Sequence, residues 1–390
     1  MSVAAVGEGL LFAGDPLQRL ETSVGVIRRG TPQFMRRALL VVAVGWLPLA
    51  LLTALHGDFI LSDRGNSFLF DFGVHARFLL AASLLILAEA ICVPRLAAIA
   101  RQFIDADLVA EADRQRYNSA VASSHRLMNS RVIELALCGL AYALAFVLIW
   151  ATPPETLPAW HGRSSSFAAS LGGWWASFVS LPLLLLLLLG WLWRICAWTR
   201  FLWLMNHLPL QLDPAHPDHA GGLGFLGSSL EGFIPIGFTI GVIAAGPVVN
   251  QVVHHHANPL QFRPVAYGAI IISVALCATP LLIFVGRLIQ VRHCGILQYG
   301  ALAMHMSERF QPRWLRPPPR LNQGRLDMSE FTGTNALYTI AANARAVRIL
   351  PLELRSVWLL SLATFLPFFP VWLLAVPFTE LAKKIGASLL

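Results

Sequence analysis

Charge is what this sequence has least of. Only 13% of its 390 residues are Asp, Glu, Lys or Arg, against about a quarter in an ordinary soluble domain. The shortage runs the length of the chain, so much of the surface must face lipid instead of water. Lysine is nearly missing: of 29 basic residues, only Lys383 and Lys384 are lysines. The five cysteines (Cys92, Cys138, Cys196, Cys277 and Cys294) include no C-x-x-C pair, which excludes a disulfide framework or zinc ribbon. The N-terminal text has no basic region leading into an apolar run and a small-residue cleavage site. No signal peptide is therefore expected, and the first apolar run should stay in the mature protein. Neither H-E-x-x-H nor G-x-S-x-G occurs, so the common metalloprotease and serine-hydrolase motifs are missing too.

Apolar runs are what is there. The chain is 56% hydrophobic with a mean hydropathy of +0.63. A bilayer core takes about 20 apolar residues in helical form, and seven stretches approach that: 38–55, 78–93, 135–151, 174–193, 232–253, 265–286 and 357–376. The clearest, WWASFVSLPLLLLLLLGWLW, has tryptophan pairs at both ends, as interfacial anchors should. The fold class expected is an all-α polytopic integral membrane protein with about seven transmembrane helices. Pro367, Pro370 and Pro377 break the last stretch, leaving a re-entrant segment as the alternative there.

The arginines set the orientation. Five fall in the tail 1–37, six in 94–134 and ten in 287–355, whereas the alternate connections hold only Arg64, Arg77, Arg163 and Arg263. This is the positive-inside pattern. It places the N-terminus in the cytoplasm of a multi-pass protein of a bacterial inner membrane, and explains a pI near 9.8 without nucleic acid as a partner. The transmembrane domain is then 38–390. Residues 95–131 and 287–355 read as cytoplasmic helical hairpins, the second interrupted by a Pro-rich connector. Spans one to three match spans five to seven in order and orientation, which suggests a parallel three-helix repeat.

Residues 211–232, QLDPAHPDHAGGLGFLGSSLEG, carry the densest motif text. Gly222, Gly224 and Gly227 match G-x-G-x-x-G, but membrane helices flank them where a dinucleotide fold needs a strand and a βαβ unit. Ser228 and Glu231 have the spacing of a capping box opening span five. Asp213, His216, Asp218 and His219 combine carboxylate and imidazole, a donor set suited to a divalent metal ion, the one cofactor candidate. Turn formation by the same Asp and Pro residues is the competing reading.

Ionisable residues within membrane text mark functional positions. Glu89 is the first of these, either lining a polar pathway or pairing with Arg194; Glu134 and Arg194 sit near span ends. Span five is rich in Gly and Pro. Gly237 and Gly241 form G-x-x-x-G, suited either to close helix packing or to a bent, pathway-lining helix ending at Asn250. The other connections gather His56, Asp58, Asp63, Asp71, His75, His161 and His254–His256, read as solvated side chains or as a cation-collecting mouth. The leading function is a channel or transporter for a small ion, its pathway formed by Glu89, Glu231, Gly237, Gly241 and Asn250. Its partners are membrane lipids, the ion and further copies of the chain in a homo-oligomer. A metal-dependent enzyme acting on a lipid, and a non-catalytic signalling or scaffold protein, are the alternatives.

Overall fold

The computed structural model describes residues 34–61, 67–153, 158–161, 170–314 and 328–373. Every regular element among them is helical. Seven helices are long and apolar enough to cross a membrane: Phe34–His56, Phe72–Asp105, Arg131–Ala151, Leu171–Asn206, Ile234–His254, Pro259–Glu308 and Leu354–Leu373, called spans one to seven below. The protein is an all-α polytopic membrane protein. Span seven continues past Pro367 and Pro370 through a tight turn at Leu366–Phe368; Pro377, Lys383, Lys384 and Asp63 lie outside the described residues.

Span five sits between spans two and seven, and its glycines explain why. A Cβ at Gly241 would strike the Thr364 carbonyl, and one at Gly237 would meet the Leu360 and Thr364 side chains at 2.6 and 2.7 Å. On the other side, a Cβ at Gly246 would meet Ala76 at 2.6 Å. The G-x-x-x-G face is thus filled by span seven, the close approach that small residues permit. Span three is peripheral, packed on span four, with Leu135, Phe146 and Trp150 exposed to the lipid zone.

Two long helical arms leave the same, arginine-rich end. Span two ends where Asp107 takes a left-handed φ of 52°. The chain then turns into helix Arg114–Met128, whose buried Tyr117, Ala120, Val121, Ser124 and Met128 form one apolar-to-small stripe at helical spacing. That stripe docks on span four, and the Tyr117 hydroxyl donates to the Ala100 carbonyl. The second arm packs helix Val285–Trp314 against Met328–Ala346. Phe103 of span two joins the elements here, with ring contacts to Phe201, Phe225 and Phe284.

At two helix breaks the freed backbone finds a side-chain partner. Pro48 has no N–H for the Val44 carbonyl, so the Trp175 indole donates to it at 3.0 Å, and the Ser180 hydroxyl donates to the Gly45 carbonyl at 2.6 Å. Pro235 likewise frees the Glu231 carbonyl, which accepts from Arg95 at 3.2 Å. Within a bilayer an orphan carbonyl has no water to turn to. Spans two and four also each contain a π-helical turn, at His75–Ala81 and Ala176–Ser180.

Gly241→Ala should lower stability by about 1–3 kcal/mol, the usual cost of overpacking, by pushing span seven off span five. Thermal unfolding of the detergent-solubilised protein, with open-faced Gly268→Ala as control, measures it; equal melting of the two variants would refute the packing account.

Candidate functional site

The site is built around one carboxylate. Glu89 lies in span two at 5% exposure, on the stripe of Leu85, Ala88, Glu89, Cys92 and Leu96 that faces the protein interior. Its Oε2 accepts from Arg37 of span one at 2.5 Å, and its Oε1 from Arg194 of span four at 2.7 Å. All three side chains are buried. The Arg194 guanidinium also lies 4.6 Å from the centre of the Trp191 ring, and the Trp191 indole donates to the Leu85 carbonyl at 2.9 Å. Three spans are thereby tied at one depth, near the arginine-rich end. The Glu89–Arg194 pairing follows the sequence. Arg37 is the partner that sequence reasoning missed, because one residue before the first apolar run an arginine reads as a tail charge.

A second polar layer occupies the opposite end, about 27 Å from Glu89 along span two. Asp71 accepts from the Val74 amide, from Asn250 at 2.8 Å and from the Trp160 indole at 3.1 Å. Asn250 in turn accepts from the Phe72 amide at 2.8 Å. His75 bonds the Leu69 carbonyl through Nε2 and accepts at Nδ1 from Trp46 at 2.9 Å. An indole can only donate, so the neutral Nε2–H tautomer is the one that fits. His254 bonds the Phe70 carbonyl. Burial pushes the His161 imidazole below its usual pKa, as does nearby Arg77, against the opposing pull of Asp71. The structure thus gathers Asp71, His75, His161 and His254 near Asn250, while His56, His255 and His256 stay exposed. Between the two layers the buried residues of span two are Ala76, Phe78, Ala81, Ala82, Leu85, Ile86 and Ala88, all apolar.

The Gly-rich turn does cradle an anion: the chain's own Asp218. Its carboxylate accepts from the Ala220, Gly222 and Gly224 amides at 2.8, 3.2 and 2.8 Å, and lies 2.8 Å from His216 Nδ1. Gly222 is needed for its φ of 93°, and a Cβ on Gly224 would lie 2.9 Å from the Asp218 carboxylate. Asp213 accepts from the Ala215 amide, a local turn. His219 adopts φ 52°, and its carbonyl accepts from the Arg348 amide at 2.7 Å. Among the described residues, no group of three or more His, Cys, Asp or Glu side chains could hold a metal ion; Asp213, His216 and Asp218 bond within the loop, while the buried His219 Nδ1 has no hydrogen-bond partner. The loop also joins its neighbours, since the Leu208 carbonyl accepts from Arg287 and the Leu108 carbonyl from the Gln211 amide.

The capping box does not form. Ser228 lies inside the short helix Ser228–Gly232, and Gly227 precedes it with no side-chain cap. The Ser228 hydroxyl donates back to the Phe225 carbonyl because a tight helical turn over Gly224–Gly227 already supplies the helix start. Glu231 instead accepts from Ser356 of span seven at 3.2 Å. The five residues expected along a pathway therefore separate: Glu89 joins the arginines, Glu231, Gly237 and Gly241 meet span seven, and Asn250 joins Asp71. Compared with known proteins, the chain matches no family model, no curated protein and no solved structure.

Removing Glu89 would strand two buried guanidinium groups. Glu89→Ala should cost about 3–5 kcal/mol, read as loss of the folded fraction in detergent; wild-type melting would exclude the cluster as a structural tie. For Asp218, burial alone would raise the pKa, but the amide donors and His216 outweigh it and hold it below the ordinary 3.8. Its contribution is complete above the ordinary carboxylate range and is lost as pH falls through the lower folded value. Proteolysis of loop 208–227 should accelerate over that acid window, and Asp218→Asn should flatten the acceleration. An identical acid profile in the variant would refute the assignment.

Proposed function

We propose that the protein moves a small ion across the membrane, with Glu89 as the carboxylate that exchanges partners during transport. The Arg37–Glu89–Arg194 cluster carries this reading. Ionisable side chains inside membrane spans are costly and mark ion pathways or proton relays, and here one carboxylate is shared by two arginines from separate spans. Protonation of Glu89, or arrival of an ion beside it, weakens its hold on both at once and releases spans one and four together. By the positive-inside pattern the arginine-rich end faces the cytoplasm. Loop 211–227 then lies at the inner mouth and the Asp71 layer at the outer one.

One observation favours a second reading, a non-catalytic scaffold. Helix Val285–Trp314 continues span six and pairs with Met328–Ala346, exposing Leu297, Leu302, Met304 and Tyr338. An arm of that length offers more surface than a connection between two spans requires.

Flux separates the two. The protein in liposomes should carry at least one of H⁺, Na⁺, K⁺ or Cl⁻, and Glu89→Gln, whose amide oxygen still accepts from one arginine, should lose most of that flux in the fraction that elutes as a folded species. Wild-type flux in a folded Glu89→Gln, or silence of the wild type toward every ion, would reject transport through Glu89 and leave the scaffold reading.

A further inference from the structure

Span four is 36 residues long, about 54 Å of helix, whereas the hydrocarbon core is about 30 Å thick. Its apolar run 174–193 fills that core, so residues 200–208 emerge at and just beyond headgroup level. Trp203 is half exposed there, as suits an interfacial ring. Helix Arg114–Met128 lies alongside, and between the two is a groove of about 560 Å³, within the range of small-ligand sites. Ala120, Leu204 and Leu208 give it apolar lining, and Gln115, Arg116, Ser119, Ser123 and His207 give it polar lining.

Arg200 stands behind the groove. It is half-buried and donates to Ser123 at 2.6 Å and to Ser124 at 3.5 Å. No carboxylate among the described residues lies within ion-pair distance of it. A charge withdrawn from water and met only by hydroxyls lacks its compensating partner. The nearby carboxylates pair with other arginines: Glu111 with Arg114 at 3.6 Å, and Asp113 at 3.1 Å with Arg116, itself part of the groove lining, so a phosphate would share the Arg116 guanidinium with Asp113. His207 bonds the Trp203 carbonyl through Nδ1 at 2.8 Å, leaving Nε2 available, and its ring lies 4.2 Å from that of Trp203.

We propose that this groove binds a phosphate group, carried on a phospholipid headgroup or on a small phosphorylated solute. The phosphate oxygens would accept from Arg116, Ser119 and Gln115, with His207 beside them. Arg200 supplies the opposite charge through Ser123, and Leu204 and Leu208 accept the apolar part of the carrier. Charge-assisted contacts of this kind are the strong ones. The inference is independent of ion transport, because it concerns equilibrium binding at a groove outside the Glu89 cluster.

The test is equilibrium binding to the full-length protein. The probes are inorganic phosphate and glycerol 3-phosphate in detergent, and phosphatidylcholine nanodiscs with and without phosphatidic acid, reported by the part of the tryptophan fluorescence that Trp203→Phe removes and by thermal shift. Saturable binding is expected, weakened about tenfold by loss of the charge-assisted contact in Arg116→Ala and by less in His207→Ala. Arg200→Lys should bind better than Arg200→Gln; if the glutamine variant fails to fold, the Arg116 and His207 variants carry the test alone. A response to the soluble esters identifies a solute site, and a response to phosphatidic acid alone identifies a lipid site. No saturable response to any probe, or equal binding by all variants, overturns the proposal.

Discussion

Spans one, two and four are held together by one carboxylate that answers two arginines. Water would make such a cluster worth little. A bilayer makes it obligatory, because an uncompensated guanidinium at that depth has no other source of negative charge nearby. Glu89 draws spans one and four to span two at one level, and Trp191 fixes Arg194 from the side. With those three spans set, span five is placed by span two through Gly246, and span seven by Gly237 and Gly241. The order of dependence runs from the charge outward.

The backbone breaks obey the same constraint. Each proline that removes an amide leaves a carbonyl, and at Val44 and Glu231 a side chain from another element takes it. These bonds do two things at once: they remove an orphan acceptor and they fix which helices are neighbours. A straight helix satisfies its own backbone and says nothing about its partners. A broken one names them, so the irregular positions specify the packing here as much as the apolar faces do.

Much of this was legible in the sequence. All seven spans were visible, because lipid demands long apolar runs and little else produces them. The Glu89–Arg194 pairing could be anticipated, since Glu89 interrupts one such run and Arg194 follows another in text that stays apolar and aromatic beyond it. Arg37 was not, because an arginine at the end of an apolar run looks the same whether it points to headgroups or turns inward. The loop 211–232 misled for a related reason. Asp218 and its glycines have the composition of an anion or metal site, and only the fold reveals that the anion is Asp218 itself. Ser228 and Glu231 had capping-box spacing, but spacing cannot show that Phe225 and Ser356 compete for the same atoms.

The two polar layers define what a transport mechanism must accomplish. Asp71 and its partners lie at one end, Glu89 and the arginines at the other, and the buried side chains of span two between them are all apolar. On the proposed reading, an ion in that interval would need a compensating partner, which movement joining the two layers would supply. The π-helical turn at His75–Ala81 opens that interval on span two, and the one at Ala176–Ser180 bonds to span one. Single π-helical turns inside α-helices, such as these two, are frequent at functional sites. His75 already links the first of them to the break at Trp46. On the proposed reading, loss of the Trp46–His75 bond at one end and of the Glu89 pairs at the other would free the same two spans, one and two. A single rearrangement of that pair would then connect both layers.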